Sequence, residues 1–334
     1  MAEQKQPVTL QEAIVYYSNI DNCLAHLVAQ RWPDGVICPT CGSKDVRFIA
    51  TRRIWECKNR HDHKQFSMKT GTFMEDSPIG LDKWLMAIWM ITACKNGVSS
   101  YEIHRAIGIT QKSAWFMMHR IRLGMQNGMF TKLSGHVEVD ETFIGGKARN
   151  MHKNVKARRI TGSGPVDKTA VLGILERGDD CKPKDREKHS KVITMVVPDR
   201  KKKTLQAHVK ANVAAGSALY SDALLSYDGL ESEYAHQVVD HAVEYVRGKV
   251  HTNGDENFWS LTKRMIHGTY VSIEPFHLFR YLDEESFRFN NRGTRKKPVN
   301  DGDRFRMVTA NVTGKRLTYK ELTGKLNPRP EEIF

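Results

Sequence analysis

The chain has 334 residues, 40% of them hydrophobic, a length that accommodates two or more domains and a composition ordinary for a globular protein. Its apolar runs fall short of a membrane span, and the opening MAEQKQPVTL lacks the charged-then-apolar order of a secretion signal, so the expected location is the cytoplasm. The balance of 52 basic against 38 acidic residues, a net charge of +14, favours polyanionic partners through phosphate contacts and counterion release. Charge alone also fits a ribosome-associated or membrane-surface protein.

Residues 8–30 carry a helical pattern opened by Thr9, with Ile14, Tyr17, Leu24 and Leu27 at apolar positions, and Trp32-Pro33-Asp34-Gly35 breaks it. The segments VICPTCGS, VRFIATRRIWEC and KNRHDHKQFS then read as a knuckle, a β-hairpin and a second knuckle, the layout of a zinc ribbon. Of the six cysteines, Cys23 and Cys94 sit in apolar helical contexts and Cys181 in a charged loop. In a cytosolic chain a CxxC spacing points to metal before disulfide. Cys38 and Cys41 form the first ligand pair and Cys57 begins the second, but Arg60 stands where another thiol would complete a CxxC. His61 and His63 are the available donors. His61 is favoured because it needs the shorter loop, which gives three thiolates and one imidazole around a structural Zn²⁺.

Residues 81–94, LDKWLMAIWMITAC, form an apolar helix, and Lys95-Asn96-Gly97-Val98 a turn. Ser99 or Ser100 caps the short helix YEIHRAI, Gly108 ends it, and Thr110 caps a second amphipathic helix, QKSAWFMMHRIRLGM. Two helices joined by a short glycine-containing turn make a helix-turn-helix layout, which also fits an ordinary helical hairpin. On the DNA-binding reading Gln111, Lys112 and Ser113 approach the major groove, while Arg120 and Arg122, with Arg105, supply positive charge.

From residue 136 the pattern becomes α/β. HVEVDETFIGG alternates apolar and acidic residues as a half-buried strand does, with Glu138 and Asp140 on one face, Val137 and Val139 on the other, and Gly145-Gly146 ending it. A solvated edge strand is the plainest account of such a run. TAVLGILE and KVITMVVP read as two further strands, separated from the first by the basic loop 147–168. The helix TLQAHVKANV, the strand SALYSDA ending at Asp222, a short strand over 238–246 and a helix opening near Asn253 follow. Arg288, Arg292, Arg295, Lys296, Lys297, Arg304 and Arg306 suggest a basic C-terminal extension or a DNA-gripping arm.

Three strands, a helix, a fourth strand and more helices is the element order of the RNase H-like fold, in which the ends of the first and fourth strands are neighbours. On that reading Asp140, Asp222 and Glu256 converge, a carboxylate set suited to Mg²⁺ or Mn²⁺. Lys263 lies seven residues after Glu256, about 700° along a helix, so the two share a face and Lys263 can hold a phosphate. Glu138, His251, Asn253 and Asn257 are polar neighbours suited to orienting substrate or the metal's surroundings. An exposed acid and base on a solvated helix is the blander account of Glu256 and Lys263.

VEVDETFIGG, LYSDA and HTNGDENFWSLTKR resemble the catalytic blocks of DDE-type transposases from bacterial insertion sequences, in particular those with an N-terminal zinc ribbon and an ISXO2-like catalytic domain. CPTCG, QFSMKTGTFMEDSPIGLDKW and KNGVSSYEIHRAIGITQKSAWFMMHRIR resemble the same group, so the likeness runs in order over roughly residues 10–290. The resemblance implies an RNase H-like core, a mixed five-stranded sheet with helices, that nicks DNA at element ends and transfers strands to target DNA. It implies Asp140 and Asp222 as the first two carboxylates, Lys263 as the downstream lysine, and Glu256 as the third carboxylate, with the adjacent Asn257 as an alternative because some members use asparagine there. The expected organisation is an N-terminal helical segment (1–35), a zinc ribbon (36–78), a helix-turn-helix region (79–130), the catalytic domain (131–290) and a basic tail (291–334). The implied partners are double-stranded DNA, as terminal repeats and target, and further copies of the chain on paired ends, in the nucleoid and with no membrane involved. Two rival readings are a zinc-ribbon and helix-turn-helix regulator, or an inactive relic, and a nuclease of the same fold that cuts without joining.

Overall fold

A computed structural model describes residues 6–126, 131–145, 153–154, 168–179, 181–182, 184–239 and 251–325. Two compact units divide them. Residues up to Gln126 and from Asn300 to Lys325 form the first, and those from Thr131 to Val299 the second.

In the first unit the expected single helix over residues 8–30 is two helices, α1 (Leu10–Tyr17) and α2 (Ile20–Arg31). Thr9 caps α1 in a reciprocal box with Glu12. Asn19 leaves the helical region at φ −85°, ψ 118°, and its side chain accepts the Asp21 N–H, which starts a new helix instead of continuing the old one. Strands β1 (Val46–Ile49) and β2 (Ile54–Cys57) form the expected antiparallel hairpin, and β3 (Gln65–Phe66) adds a third strand. Trp55 stacks on Phe66 and meets Trp32 edge-on, so aromatic packing supports this small sheet. Helix α3 (Leu81–Ala93) buries Trp84, Leu85, Ile88, Trp89 and Ile91. Helices α4 (Ser100–Ile107) and α5 (Gln111–Met125) begin at Ser99 and Thr110, and Gly108 closes α4 in the left-handed conformation at φ +62°.

The C-terminal residues depart from the expected basic arm. Helix α9 (Asp301–Ala310) packs against α3, with Phe305 buried between Trp89, His26 and Tyr17, and the short α10 (Tyr319–Leu322) follows. Arg304 and Arg306 pair with Asp301 and Asp303 of their own helix.

The second unit is built on a five-stranded mixed sheet of order β6-β5-β4-β7-β8. Strands β4 (His136–Ile144), β5 (Thr169–Glu176) and β6 (Lys191–Val197) form an antiparallel meander, whereas β7 (Ala218–Asp222) and β8 (Ala235–Val239) lie parallel to β4. Helix α6 (Lys202–Asn212) supplies the crossover from β6 to β7. Its Leu205 and Val209 pack on Val137, Val139, Leu172, Ile174 and Leu219, forming the core of one face. On the other face Val171, Leu175 and Val192 meet Phe258 and Trp259 of α7 (Asn253–Met265) and Leu278 and Leu282 of α8 (Leu278–Asn290).

This layering overturns the half-buried edge strand. β4 is the central strand, covered on both faces, and Glu138 is 1% exposed. The fifth strand begins at Ala235, ahead of the expected 238, and residues 240–246 lie outside the described residues. The basic loop 147–168 likewise lies outside them apart from 153–154 and 168. Arg288 belongs to α8, where it is buried and bonded to Glu284 and Glu285. No described helix is long and apolar enough to cross a membrane.

Candidate functional site

Parallel pairing of β4 with β7 sets Val139 opposite Ser221, so Asp140 and Asp222 occupy the next positions on neighbouring strands, which run about 4.8 Å apart. Helix α7 lies over that face. Its buried residues Asp255, Phe258, Trp259, Thr262 and Met265 recur at helical spacing, and Glu256, one step round from Asp255, is exposed. The Trp259 indole N–H donates to Asp140 Oδ2 at 3.1 Å. Burial raises the Asp140 pKa to about 6, and repulsion from Asp222 and from Glu256 adds to the rise. Carboxylates from β4, β7 and α7 therefore share one electrostatic environment, and a cation among them would relieve the repulsion. Lys263 is exposed on α7, as are Asn253 and Asn257.

Glu138, two residues before Asp140 on the same strand, is a structural hub. Its Oε2 accepts the N–H groups of Gly254 (2.7 Å) and Asp255 (3.0 Å) at the start of α7. Its Oε1 pairs with Arg177 Nε at 2.5 Å, and Arg177 also donates to the carbonyl of His251 at 2.6 Å. His251 Nδ1 lies 3.4 Å from Glu138 Oε1. The negative carboxylate thus meets the positive end of the helix dipole and anchors the helix that carries Glu256.

Three further residues of this region, Asp255, Gly173 and Glu141, are not among the site residues expected from the sequence. Asp255 is fully buried, and neither of its carboxylate oxygens is hydrogen-bonded among the described residues. Burial, then the charges of Glu138, Asp140 and Glu141, push its pKa well up, which favours the neutral acid. Gly173 faces Asp140 across the ladder, and a Cβ there would lie 2.5 Å from Trp259 and 3.0 Å from Asp255. Glycine is what lets α7 approach the sheet. On the opposite face Glu141 accepts a hydrogen bond from the Tyr227 hydroxyl, and burial, then Asp222 and Asp140, raise its pKa to about 8. The one hint in the sequence is that Glu141 and Asp255 flank expected site residues.

The first unit holds a separate donor cluster. Cys38, Cys41, Cys57 and His61 bring their ligand atoms within 4.8 Å of one another. Cys38 Sγ lies 3.5 Å from His61 Nε2, and Cys41 Sγ 3.6 Å from Cys57 Sγ. A tetrahedron with Zn–S of about 2.3 Å and Zn–N of about 2.05 Å has edges of about 3.8 and 3.6 Å, so the cluster fits Zn²⁺. His61 Nδ1 donates to the carbonyl of Asp62 at 2.6 Å, which turns Nε2 towards the thiols. His63 is outside the cluster. Among the described residues this is the one set of three or more Cys, His, Asp or Glu donors packed so closely.

The residues assigned to DNA separate into two groups. Gln111, Lys112 and Ser113 lie at the start of α5, half-buried or exposed; Gln111 bonds the Ser100 hydroxyl and the Lys112 ammonium sits 4.7 Å from the centre of the Tyr319 ring. Arg120 and Arg122 are buried, at 5% and 1% exposure, and Arg120 lies against Trp84 and Phe116 with a hydrogen bond to the Glu75 carbonyl. They pack the helical core of the first unit and do not form a DNA-facing surface.

A Cys3His donor set suited to zinc in one unit and a mixed five-stranded sheet with helices in the other define a two-unit α/β protein. The ISXO2-like transposase domain matches residues 132–290, and the transposase zinc-ribbon domain matches residues 19–62. A protein of the transposable element ISH50 from Halobacterium salinarum is 28% identical over 258 residues, covering 72% of this chain and 82% of its own length. A transposase-like protein from Haemophilus influenzae is 35% identical over 102 residues, covering 30% of this chain and 82% of its own. The chain belongs to the family of ISXO2-like insertion-sequence transposases with a zinc ribbon.

Proposed function

We propose that this chain is an active DDE transposase that binds the terminal repeats of its element, nicks them and joins the freed ends to target DNA. The observation that carries the reading is the adjacency of Asp140 and Asp222 at neighbouring strand positions beneath the helix that bears Glu256. The sheet order, with three antiparallel strands, a crossover helix and two parallel strands, supports an RNase H-like core. In this reading Asp140, Asp222 and Glu256 hold Mg²⁺ or Mn²⁺, which when bound lowers the pKa of an attacking hydroxyl and takes up charge on the leaving oxygen. Trp259 orients Asp140 through its indole N–H, Glu138 fixes the helix that presents Glu256, and Lys263 holds a phosphate on the same exposed face.

Two in-line displacements follow. In nicking, a water molecule loses a proton to solvent and its oxygen bonds to phosphorus as the P–O3′ bond breaks, and the departing 3′-oxygen takes a proton from solvent. In joining, the freed 3′-hydroxyl loses its proton to solvent and its oxygen bonds to a target phosphorus as that phosphorus's P–O3′ bond breaks, and the target 3′-oxygen leaves with a proton from solvent. No protein atom becomes covalently attached, and no redox partner is required.

Helices α4 and α5 serve as the helix-turn-helix, with Gln111, Lys112 and Ser113 at the groove, and Cys38, Cys41, Cys57 and His61 hold Zn²⁺ in the ribbon. Copies of the chain assemble on paired ends in the nucleoid. The test is a strand-transfer assay with Mg²⁺ or Mn²⁺ on DNA ends taken from either side of the gene, with Asp140→Asn run beside the native protein. Joined products that disappear with Asp140→Asn support the reading. Nicks without joints replace it with a nuclease, and binding without chemistry in either protein replaces it with a DNA-binding relic.

A further inference from the structure

The second unit contains a cleft of about 680 Å³ beside the carboxylate cluster. Glu138, Gly254 and Asn257 line one side, so the cleft begins two residues from Asp140 along β4 and one residue from Glu256 along α7. The segments that leave β5, enter β6 and follow α8 supply the rest of the lining.

Its charge is one-sided. Arg177, Arg186, Lys188, Arg292 and Arg295 line it against Glu138 and Asp179, a sum of 5 − 2 = +3 with histidines neutral. Both acids are already engaged. Glu138 is bound to Arg177, and Asp179 accepts the backbone N–H groups of Glu187 (2.8 Å) and Lys188 (2.7 Å). Neighbouring Glu187 faces Lys296 and Lys297. Arg186, Lys188, Arg292 and Arg295 form no ion pair with a described acidic side chain.

The positions of these cations are also constrained. The Arg292 guanidinium stacks 3.5 Å from the centre of the Phe289 ring, partly buried, and burial followed by repulsion from Arg186 lowers its pKa. Burial, then Arg292 and Lys191, likewise push the His189 pKa down. Holding more positive than negative charge together is costly unless a polyanion joins it.

We propose that this cleft binds the sugar-phosphate backbone of one DNA strand as it leaves the carboxylate cluster. The location of the reacting phosphate rests on the function proposed above; the backbone-binding role rests on the cleft alone. Contacts of this type position a strand without reading its sequence.

The test uses the full chain in EDTA, so that chemistry plays no part, with a fluorescein-labelled single-stranded oligonucleotide read by anisotropy over a salt series. Arg186→Ser with Arg295→Ser removes two exposed cations, and Arg292→Gln against Arg292→Lys separates charge from packing. Each phosphate contact contributes about −0.7 to the slope of log affinity against log salt for single strands, so the double variant should lose about 1.4 from that slope on oligonucleotides of unrelated sequence. Arg292→Gln should lose about 0.7 and Arg292→Lys should retain it. A slope equal to the native one in the double variant overturns the proposal, as does loss of polyglutamate binding with DNA binding intact, which would assign the cleft to an acidic protein segment. Because no cleavage is needed, a reduced slope in a protein that fails to join DNA keeps the cleft and removes the transposase reading. Native joining with an unchanged slope does the reverse.

Discussion

Replacing Glu138 by alanine removes three connections at once: the two N–H bonds it accepts at the start of α7 and its pair with Arg177. Loss of a helix N-cap costs about 1 kcal/mol. Stranding one partner of a buried pair costs about 3–5 kcal/mol. The Arg177 side chain is 17% exposed against 1% for Glu138, so water can reach the stranded cation, and the lower end of that range applies. The connections share one carboxylate and do not add independently, which gives about 3 kcal/mol, or roughly a hundredfold in local opening. Hydrogen exchange at the Gly254 and Asp255 amides reads this directly, because it reports opening of α7 without requiring the whole chain to unfold in two states. Glu138→Gln, which keeps an acceptor but loses the charge, should lie between native and alanine. Glu138→Ala with Arg177→Ala should recover part of the loss. Protection within threefold of native in Glu138→Ala, or single effects that simply add in the double variant, would refute the account of Glu138 as the anchor of the helix.

His61→Ala should reduce bound zinc from one equivalent per chain, measured by metal analysis after dialysis, whereas His63→Ala should retain it; the opposite pattern would reassign the fourth donor. Gly173→Ala forces a Cβ to within 2.5 Å of Trp259, and overpacking of this kind costs about 1–3 kcal/mol, visible as lower thermal stability together with a changed Trp259 environment. Buried His26, hydrogen-bonded to Thr309, has its pKa lowered to about 4 by desolvation and then by Arg306. It is neutral in the folded state and takes up a proton near pH 6.5 when unfolded, so its contribution is present above pH 6.5 and is lost as pH falls towards 4. The first unit should lose about 2 kcal/mol between pH 7 and pH 5, measured by denaturant titration, and this loss should be smaller in His26→Gln.

Where an element depends on its neighbours in sequence, the residues themselves announce it. Thr9, Ser99 and Thr110 each cap the helix they are expected to open, because a short oxygen-bearing side chain at a helix start satisfies backbone N–H groups within three residues. The CPTCG turn and the hairpin after it are local in the same way, and the preference for His61 over His63 agrees with the donor cluster. The break at Asn19 is not legible, because an asparagine at a helix start resembles one inside a helix until the backbone turns. Arg120 and Arg122 mislead for a different reason: a long cationic side chain on a helix is more often solvated than buried. Here the aromatic rings of Trp84 and Phe116 and the Glu75 carbonyl take up Arg120, and Trp84 and Glu75 lie outside the helix whose pattern is being read.

The candidate site divides along the same line. Alternation along β4 separates Glu138 and Asp140 from Val137 and Val139, and that separation is real, but alternation cannot distinguish an acidic face that meets water from one that meets another element. The distinction depends on Gly254 and Asp255, more than a hundred residues further on, whose N–H groups need an acceptor, and on Gly173, whose missing side chain lets α7 approach. Once α7 is in place, burial changes the character of neighbouring acids. Glu138 is neutralised by an arginine and a helix terminus and serves structure. Asp140, two residues on, accepts an indole N–H and faces the charges of Asp222 and Glu256, so it retains a need for positive charge that a metal would meet. The same strand therefore holds one acid that the fold has satisfied and one whose charge it leaves facing other acids, and it is the covering helix that makes them different.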